Sequence, residues 1–156
     1  MVIDEIIDYL ESFDGILILR PGPGDGTPEI AWGDTFFYYA PTGVVPKGQP
    51  FATVVTKNYP GDEDSRLDRP DTFRVNMAPG KDAFAAHAAD VDPSAVDTVM
   101  VHPVYGAAQW LAVVNPGPRT DAVTRDLLRA AYDVARRRHD ARGGRVAAGQ
   151  DVEVGE

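Results

Sequence analysis

The chain of 156 residues contains no cysteine. That absence excludes disulfide frameworks, zinc fingers, iron–sulfur sites and thiol nucleophiles. It also favours the cytoplasm, because secreted domains of this size often carry disulfides. A long hydrophobic run is missing too, and the first fifteen residues, MVIDEIIDYLESFDG, lack the basic segment of a signal peptide. We therefore expect a cytoplasmic protein with no membrane contact.

Basic residues are scarce, with 15 Lys and Arg against 24 Asp and Glu and a formal net charge of −9. Residues 1–118 hold seven of the basic and seventeen of the acidic side chains, so most of the chain would repel a phosphate backbone. Nucleic acid is therefore not an expected partner. Residues 119–145 reverse the balance, with eight arginines and four aspartates. They could attract an anion, but we favour a solvated face near a helix C-terminus.

The hydrophobic content of 44% is enough for one core. Periodicity predicts helices over residues 3–13 and 81–88 and from Thr120 to about Arg138. It predicts strands at 16–19, 30–32, 35–40, 51–57, 72–77 and 109–115. The predicted fold is α+β: a mostly antiparallel sheet with the N-terminal and C-terminal helices packed on one face. We expect one domain over residues 1–142 and a disordered tail over residues 143–156, which lack large apolar side chains.

Two loops resemble ligand-binding motifs only superficially. Residues 21–28, PGPGDGTP, contain three prolines and lack both the Lys-Ser/Thr pair and the following helix of a phosphate-binding loop. Residues 62–69, DEDSRLDR, depart from a calcium loop, because Leu67 and Phe73 stand where Gly and Glu are required. We interpret the second segment as a salt-bridged loop in which Arg66 and Arg69 neutralise the acids, and a looser magnesium site stays open as an alternative. No metal and no cofactor is predicted.

His102 is the histidine that packing explains least, since it precedes a proline and lies between two predicted strands. A histidine there could act as a base, bind a ligand or cap a turn. Arg74 and Asn76 share one face of a strand, while Phe73, Val75 and Met77 share the other. If both helices cover the apolar face, the polar pair lines an open sheet surface, which is either a binding site or the wet side of the sheet. The candidate ligand-binding residues are Arg66, Arg69, Arg74, Asn76, His102 and Tyr105.

Three segments carry a resemblance to a known group: GDTFFYYAP (33–41), PFATVVTKNYPGDEDSRLDRPDTFRVNM (50–77) and HPVYGAAQWLAVVNPG (102–117). Together they resemble an uncharacterised family of small actinobacterial proteins with no assigned activity. The order of the late elements and Trp110 are also similar to MmcQ/YjbR-like proteins. That similarity implies a double-wing α+β fold and, for some members, DNA binding, from which the acidity of this chain departs.

Two classes of function follow. Arginine forks and a tyrosine suit a non-catalytic module that binds a small anionic ligand or a protein partner, and we favour this class. The alternative is a small hydrolytic or acid–base enzyme with His102 as base and an acid from residues 62–68 as its partner. No catalytic residue is assigned, because the sequence contains neither a G-x-S-x-G nor an H-E-x-x-H motif. DNA binding is the third hypothesis.

Overall fold

The computed structural model describes the backbone of residues 1–154 and the side chains of residues 1–143. The α-helices of this part are α1 (Ile3–Glu11), α2 (Lys81–His87) and α3 (Asp121–Val154). The strands are β1 (Ile16–Leu19), β2 (Thr35–Tyr39), β3 (Ala52–Val55), β4 (Arg74–Met77), β5 (Val99–Val101) and β6 (Leu111–Val114). Short 3-10 helices span Glu29–Ala31 and Gly106–Ala108.

The strands form one six-stranded sheet in the order β1-β2-β3-β4-β6-β5. Every neighbouring pair is antiparallel. The first four strands follow one another as hairpins, whereas β6 returns to lie between β4 and β5. These pairings confirm the predicted α+β class with a mostly antiparallel sheet.

The main core lies between one face of the sheet and the helices α1 and α3. In α1, Ile6, Ile7 and Leu10 are buried, and its first turn carries acids that suit the helix N-terminus. Leu127, Leu128, Ala131 and Tyr132 of α3 belong to the same cluster as Phe37, Val54, Val75 and Met77 of the sheet. Both helices therefore pack on one face, as the sequence predicts.

A second, smaller core covers the opposite face of the sheet. Val55, Met100, Ala112 and Val114 point away from the helices and pack against Leu67 of the β3–β4 connection. Leu67 is only 3% exposed, so this connection lies down on the sheet instead of extending into solvent. The predicted polar loop at residues 58–70 thus covers part of the second face through Leu67.

Three local predictions differ from the structure, and one of them is the absence of a predicted strand at β5 (Val99–Val101). Residues 30–32, predicted as strand, lie in the 3-10 helix Glu29–Ala31 and its C-cap, because Ala31 and Trp32 donate to the carbonyls of Pro28 and Glu29 and no neighbouring strand is available there. Helix α3 begins directly after Thr120, as predicted, but continues to Val154, past the predicted end near Arg138. The side chains of residues 144–156 and the backbone of 155–156 lie outside the described residues, and disorder over 143–156 stays a prediction.

Two findings bear on the class of protein. Within the described residues, no helix combines the length and the apolar character needed to cross a membrane. The same part of the chain brings no three His, Asp or Glu side chains close enough to hold a metal ion, and this includes the acidic residues 62–68.

Candidate functional site

Arg74 is buried in the second core. Strand β4 alternates its side chains, so Arg74 and Asn76 point to the face opposite the helices, as predicted. That face is not open, however: Arg74 is 2% and Asn76 4% exposed. The expectation of an open polar surface is wrong, because the β3–β4 connection covers it and supplies the polar partners that a buried guanidinium requires.

The guanidinium of Arg74 is held from several sides. Its two terminal nitrogens donate to the Asp62 carboxylate at 3.0 and 2.6 Å, a paired geometry that fixes the orientation of the side chain. Nη1 also donates to Oγ of Ser65 at 2.9 Å, and Nε donates to Oδ1 of Asn76 at 2.7 Å. Burial alone would raise the pKa of Asp62, but the hydrogen bonds and charge of Arg74 hold it below its usual value. The Asp62 carboxyl group therefore stays ionised at neutral pH.

The remaining N–H of Arg74 points at His102. Nδ1 of His102 accepts the backbone N–H groups of Val104 and Tyr105, both at 3.0 Å. A neutral imidazole with Nδ1 as acceptor carries its proton on Nε2. Nε2 lies 3.2 Å from Nη2 of Arg74, which is also a donor. Burial and the Arg74 charge lower the pKa of His102 to about 4, and the Asp62 charge opposes them only in part.

These contacts answer the question that the sequence left open about His102. Its ring caps the turn that leads toward β6 and contacts a cation. Among the described residues, no carboxylate or hydroxyl lies within hydrogen-bonding distance of either ring nitrogen. An acid–base enzyme built on His102 requires such a partner. The arrangement therefore gives that hypothesis no support.

The other predicted residues lie around this cluster. Tyr105 packs on the His102 ring with centroids 5.0 Å apart and is 58% exposed. Arg69 donates to the carbonyls of Ser65 and Ser94, each at 2.9 Å, and so ties the β3–β4 connection to the segment before β5. Arg66 is exposed. Neither arginine pairs with an acid in the described part of the chain, so the salt-bridged loop was wrong in detail: Arg74 of the sheet neutralises Asp62.

A second buried carboxylate, Asp34, anchors the beginning of the same connection. It is 1% exposed and accepts hydrogen bonds from the backbone and hydroxyl of Thr56 at 2.8 and 2.9 Å and from Nζ of Lys57 at 2.8 Å. The hydroxyl of Tyr59 also donates to it, and burial together with this bond raises the pKa of Tyr59. Sequence reasoning missed Asp34, although it stands in the motif GDTFFYYAP.

A large cavity opens at the end of the sheet where β2 ends and β6 begins. Its volume is about 1010 Å³. The loop at residues 41–50 forms one wall, and the face of α3 from Ala131 to Arg142 forms another. Tyr38, Tyr39 and Trp110 add aromatic surface, and Val44 and Val45 of the loop are 71% and 47% exposed. We call this space the α3 cavity.

Charge in the α3 cavity is of one sign. Its lining includes Lys47, Arg138, His139 and Arg142, and none of the described lining residues is acidic. The His139 ring packs edge-on against Tyr39 with centroids 5.1 Å apart. The exposed Asp140 carboxylate lies 3.5 Å from Nδ1 of His139, but Asp140 is not one of the lining residues. A smaller cavity of about 530 Å³ is lined by Arg69 and also by the acidic residues Asp4 and Asp71. Of the two, the α3 cavity is the one suited to an anion.

One signal in the sequence points to residues that line this cavity. Arg138 and Arg142 are four residues apart on a helix, and such residues share a face. They belong to the segment with a surplus of arginines, which the sequence predicts to be a solvated face, and both side chains are exposed at the rim of the cavity. The loop that faces them, PTGVVPKGQP, had no assigned role, because a sequence does not reveal which loop packs beside which helix.

Comparison with known proteins confirms one part of the resemblance noted in the sequence, namely membership of an uncharacterised family. The model of a family of unknown function (DUF6194) matches residues 1–144, and the chain belongs to this family. No curated protein and no solved structure matches the chain.

Proposed function

We propose that this chain is a non-catalytic module that binds a small organic anion with a flat apolar part in the α3 cavity. The observation that carries the proposal is the charge of the lining: three Lys and Arg side chains and one His, without a described acid, in a chain of net charge −9. Asp and Glu outnumber Lys and Arg by 24 to 15 in the sequence, so charged residues drawn from it at random would be mostly acidic. Cations gathered around one cavity lower the free energy of an anion there and raise its local concentration.

The shape and surface of the cavity support a ligand of that class. Ligand sites commonly have volumes of about 300–1,000 Å³ with mostly apolar walls and a few placed polar groups. The aromatic side chains Tyr38, Tyr39 and Trp110 and the valines of the loop supply apolar contact area. Arg138 and Arg142 can each present a planar fork to a carboxylate or phosphate group.

The cluster around Arg74 then has a supporting role in the proposal. Arg74, Asn76 and His102 are almost completely buried, so a ligand would reach them only after the β3–β4 connection moved. Trp110 lines the α3 cavity, and the backbone N–H of His102 donates to the Trp110 carbonyl at 2.9 Å. We propose that the cluster fixes this turn and thereby the Trp110 wall.

A matched pair of fluorescent probes tests the proposal. 1-Anilinonaphthalene-8-sulfonate is a flat aromatic anion, and N-phenyl-1-naphthylamine has the same ring system without the sulfonate. We expect the anion to bind the folded protein more tightly than the uncharged probe, and added salt to weaken only the anion. The Arg138→Gln/Arg142→Gln variant should bind the anion about tenfold or more weakly, since each charge-assisted contact contributes about 1.5–3 kcal/mol when desolvated and less at an exposed rim.

The control variant is Arg119→Gln/Arg137→Gln, which removes the same charge from exposed positions outside the cavity lining. It should leave the affinity for the anionic probe within about twofold of wild type, because rim and distant charges contribute little at physiological salt. Equal affinity for both probes, or an equal loss in the two double variants, would contradict the proposed function. Circular dichroism and an unchanged thermal midpoint establish that each variant is folded.

A further inference from the structure

The lining of the α3 cavity changes character along α3. The helix contributes residues three and four apart to the wall, a spacing that places them on one stripe of its surface. The first half of this stripe is apolar and the second half is cationic. In chain order the residues are Ala131, Val134, Ala135, Arg138, His139 and Arg142. The cavity therefore has an apolar end and a cationic end, separated along the helix axis.

Two contacts with the rest of the domain belong to opposite ends of the stripe. At the apolar end Gly80 lies against Val134, since a Cβ on Gly80 would be 2.9 Å from Cγ2 of that valine. At the cationic end the Tyr39 ring packs on His139 with centroids 5.1 Å apart. Gly80 follows β4, and Tyr39 is the last residue of β2. The long direction of the cavity therefore crosses the end of the sheet from β4 toward β2.

The apolar end is also the inner end of the cavity. Ala131 is completely buried and Val134 is half-buried, whereas Arg138 and Arg142 are exposed at the rim. An amphipathic anion that enters with its apolar part first gains the burial of that part, while its charge stays hydrated beside the arginines. The reverse orientation is unfavourable, because it would bury the charge against alanine and valine side chains.

Helix geometry sets the length of such a ligand. With a rise of about 1.5 Å per residue, the Cα atoms of Arg138 and Arg142 lie about 6 and 12 Å beyond Val134 along the axis. Helical side chains lean in one common direction, toward the N-terminus, so the two arginines follow one another in this order. A ligand with its apolar group beside Val134 meets Arg138 through a short linker and Arg142 through a longer one.

We infer that the α3 cavity takes an elongated amphipathic carboxylate of the arylalkanoate type, which lies along α3 with its ring beside Val134 and its carboxylate at the arginines. This inference rests on the proposed function, which requires only an anion with an apolar part, and adds the orientation of that anion and the separation of its two parts. The arginine fork suits a carboxylate. Because both arginines are exposed, each contributes modestly, about 1.5- to fivefold in affinity.

Displacement of 1-anilinonaphthalene-8-sulfonate by phenylalkanoates with linkers of increasing length tests the inference. Benzoate, 4-phenylbutyrate and 8-phenyloctanoate carry the same ring, and their primary amides are uncharged controls for the apolar contribution of each linker. The ratio of carboxylate affinity to amide affinity should be lowest for benzoate. It should be at least about threefold higher for the two longer acids, because only they reach an arginine while the ring lies beside Val134.

Two single variants test the direction in which the ligand lies. Arg138→Gln should lower the affinity for 4-phenylbutyrate about threefold, and Arg142→Gln should lower that for 8-phenyloctanoate about threefold. The exchanged combinations should change by less than about 1.5-fold, because the carboxylate then lies near the other arginine. Arg137→Gln removes an exposed charge outside the cavity lining and should alter neither affinity.

The outcomes separate this inference from the proposed function. If the anionic probe itself does not bind, the proposed function fails and the inference fails with it. If the probe binds but the ratio of carboxylate to amide affinity is the same for all three linkers, the inference alone is overturned. Equal losses of both longer acids in Arg138→Gln and Arg142→Gln would also overturn it and leave the proposed function standing.

Discussion

Nη2 of Arg74 lies 3.2 Å from Nε2 of His102, and the backbone donors at Nδ1 make both of these nitrogens carry a proton. In the Nε2–H tautomer two N–H donors face each other at this distance, and protonation of the ring would add a second positive charge beside the guanidinium. Burial of the ring and, after it, the charge of Arg74 lower the pKa of His102 to about 4. The pKa of His102 therefore reports on the burial of its ring and on its distance from Arg74.

We expect His102 to remain a neutral Nε2–H tautomer down to about pH 4. Its folded pKa lies below the value of about 6.5 in an unfolded chain, so the unfolded state takes up the proton first as the pH falls. The contribution of His102 to the free energy of unfolding is full above pH 6.5 and is lost as the pH falls through 4. A shift of this size corresponds to about 3 kcal/mol. Nitrogen-15 shifts of the imidazole give the tautomer and the pKa directly.

His102→Asn separates this effect from acid sensitivity in general. The Asn side-chain oxygen can occupy the position of Nδ1 and accept the two turn N–H groups, since Asn is suited to such turns. Between pH 6.5 and 4 its unfolding free energy should fall less steeply than that of wild type. Equal slopes would show that His102 titrates in the folded protein as it does in a peptide.

Removal of the guanidinium should destabilise the fold strongly. Arg74→Met leaves the partly buried Asp62 carboxylate and the Asn76 amide without their partner, and breaking a buried ion pair in this way costs about 3–5 kcal/mol. Chemical denaturation provides the measurement. Arg66→Ala on the exposed side of the same connection should change the free energy of unfolding by less than about 0.5 kcal/mol. If Arg74→Met lowered the free energy of unfolding as little as Arg66→Ala is expected to, the Arg74 network would contribute little to stability.

Asp97 should be the most important carboxylate for the start of α3. It accepts the backbone N–H groups of Gly117, Arg119 and Thr120 and the Thr120 hydroxyl. Burial raises its pKa, but these donors outweigh burial and hold the pKa below the usual value. Asp97→Ala should cost about 2 kcal/mol or more, since several donors lose one acceptor and φ of 50° disfavours Ala.

Asp97→Asn provides the comparison, because it keeps a side-chain oxygen and tolerates the positive φ. Its loss in unfolding free energy should lie between wild type and Asp97→Ala at pH 7. The gap between wild type and Asp97→Asn should close as the pH falls below the ordinary range of a carboxyl group, where the native charge is lost. A gap independent of pH would contradict the role of the charge.

Gly80 should be intolerant of a side chain. Its φ is 94°, and a Cβ there would lie 2.9 Å from Cγ2 of Val134 in α3. Gly80→Ala should lower the unfolding free energy by about 1–2 kcal/mol, from backbone strain and the displaced valine. Gly48→Ala in the 41–50 loop has no atom within 4 Å of the new Cβ and should be neutral within about 0.5 kcal/mol. A larger effect at Gly48 than at Gly80 would refute this reasoning.

The sequence predicts the elements of this fold better than the surfaces between them. The alternation of Val75 and Met77 with Arg74 and Asn76 assigns the faces of β4 correctly, because side chains alternate along a strand whatever covers it. Nothing in that alternation tells which face a loop will cover. Leu67 is the one large apolar residue in residues 60–70, and it is the residue that holds this connection against the sheet.

The candidate site shows the same limit. Arg74, Asn76, His102 and Tyr105 do come together, as the sequence suggested, but Asp62 and Ser65 occupy the donors that a ligand would need. Which acid neutralises a given arginine depends on distances between residues far apart in the chain, and hydrophobic periodicity contains no such information. The α3 cavity depends likewise on how a loop and a helix pack.

The strand order has a consequence for the folding reaction. The pairings β1–β2, β2–β3, β3–β4 and β5–β6 join neighbours in sequence, whereas β4 and β6 meet only after the chain between Met77 and Leu111 closes on itself. Non-local pairings of this kind are slow, because chain entropy is lost before contacts form. Arg74 lies on β4, and His102 lies between β5 and β6 in the chain that has to close. We therefore expect the contact between Arg74 and His102 to form in the last step. Substitutions there should accelerate unfolding while leaving the refolding rate nearly unchanged.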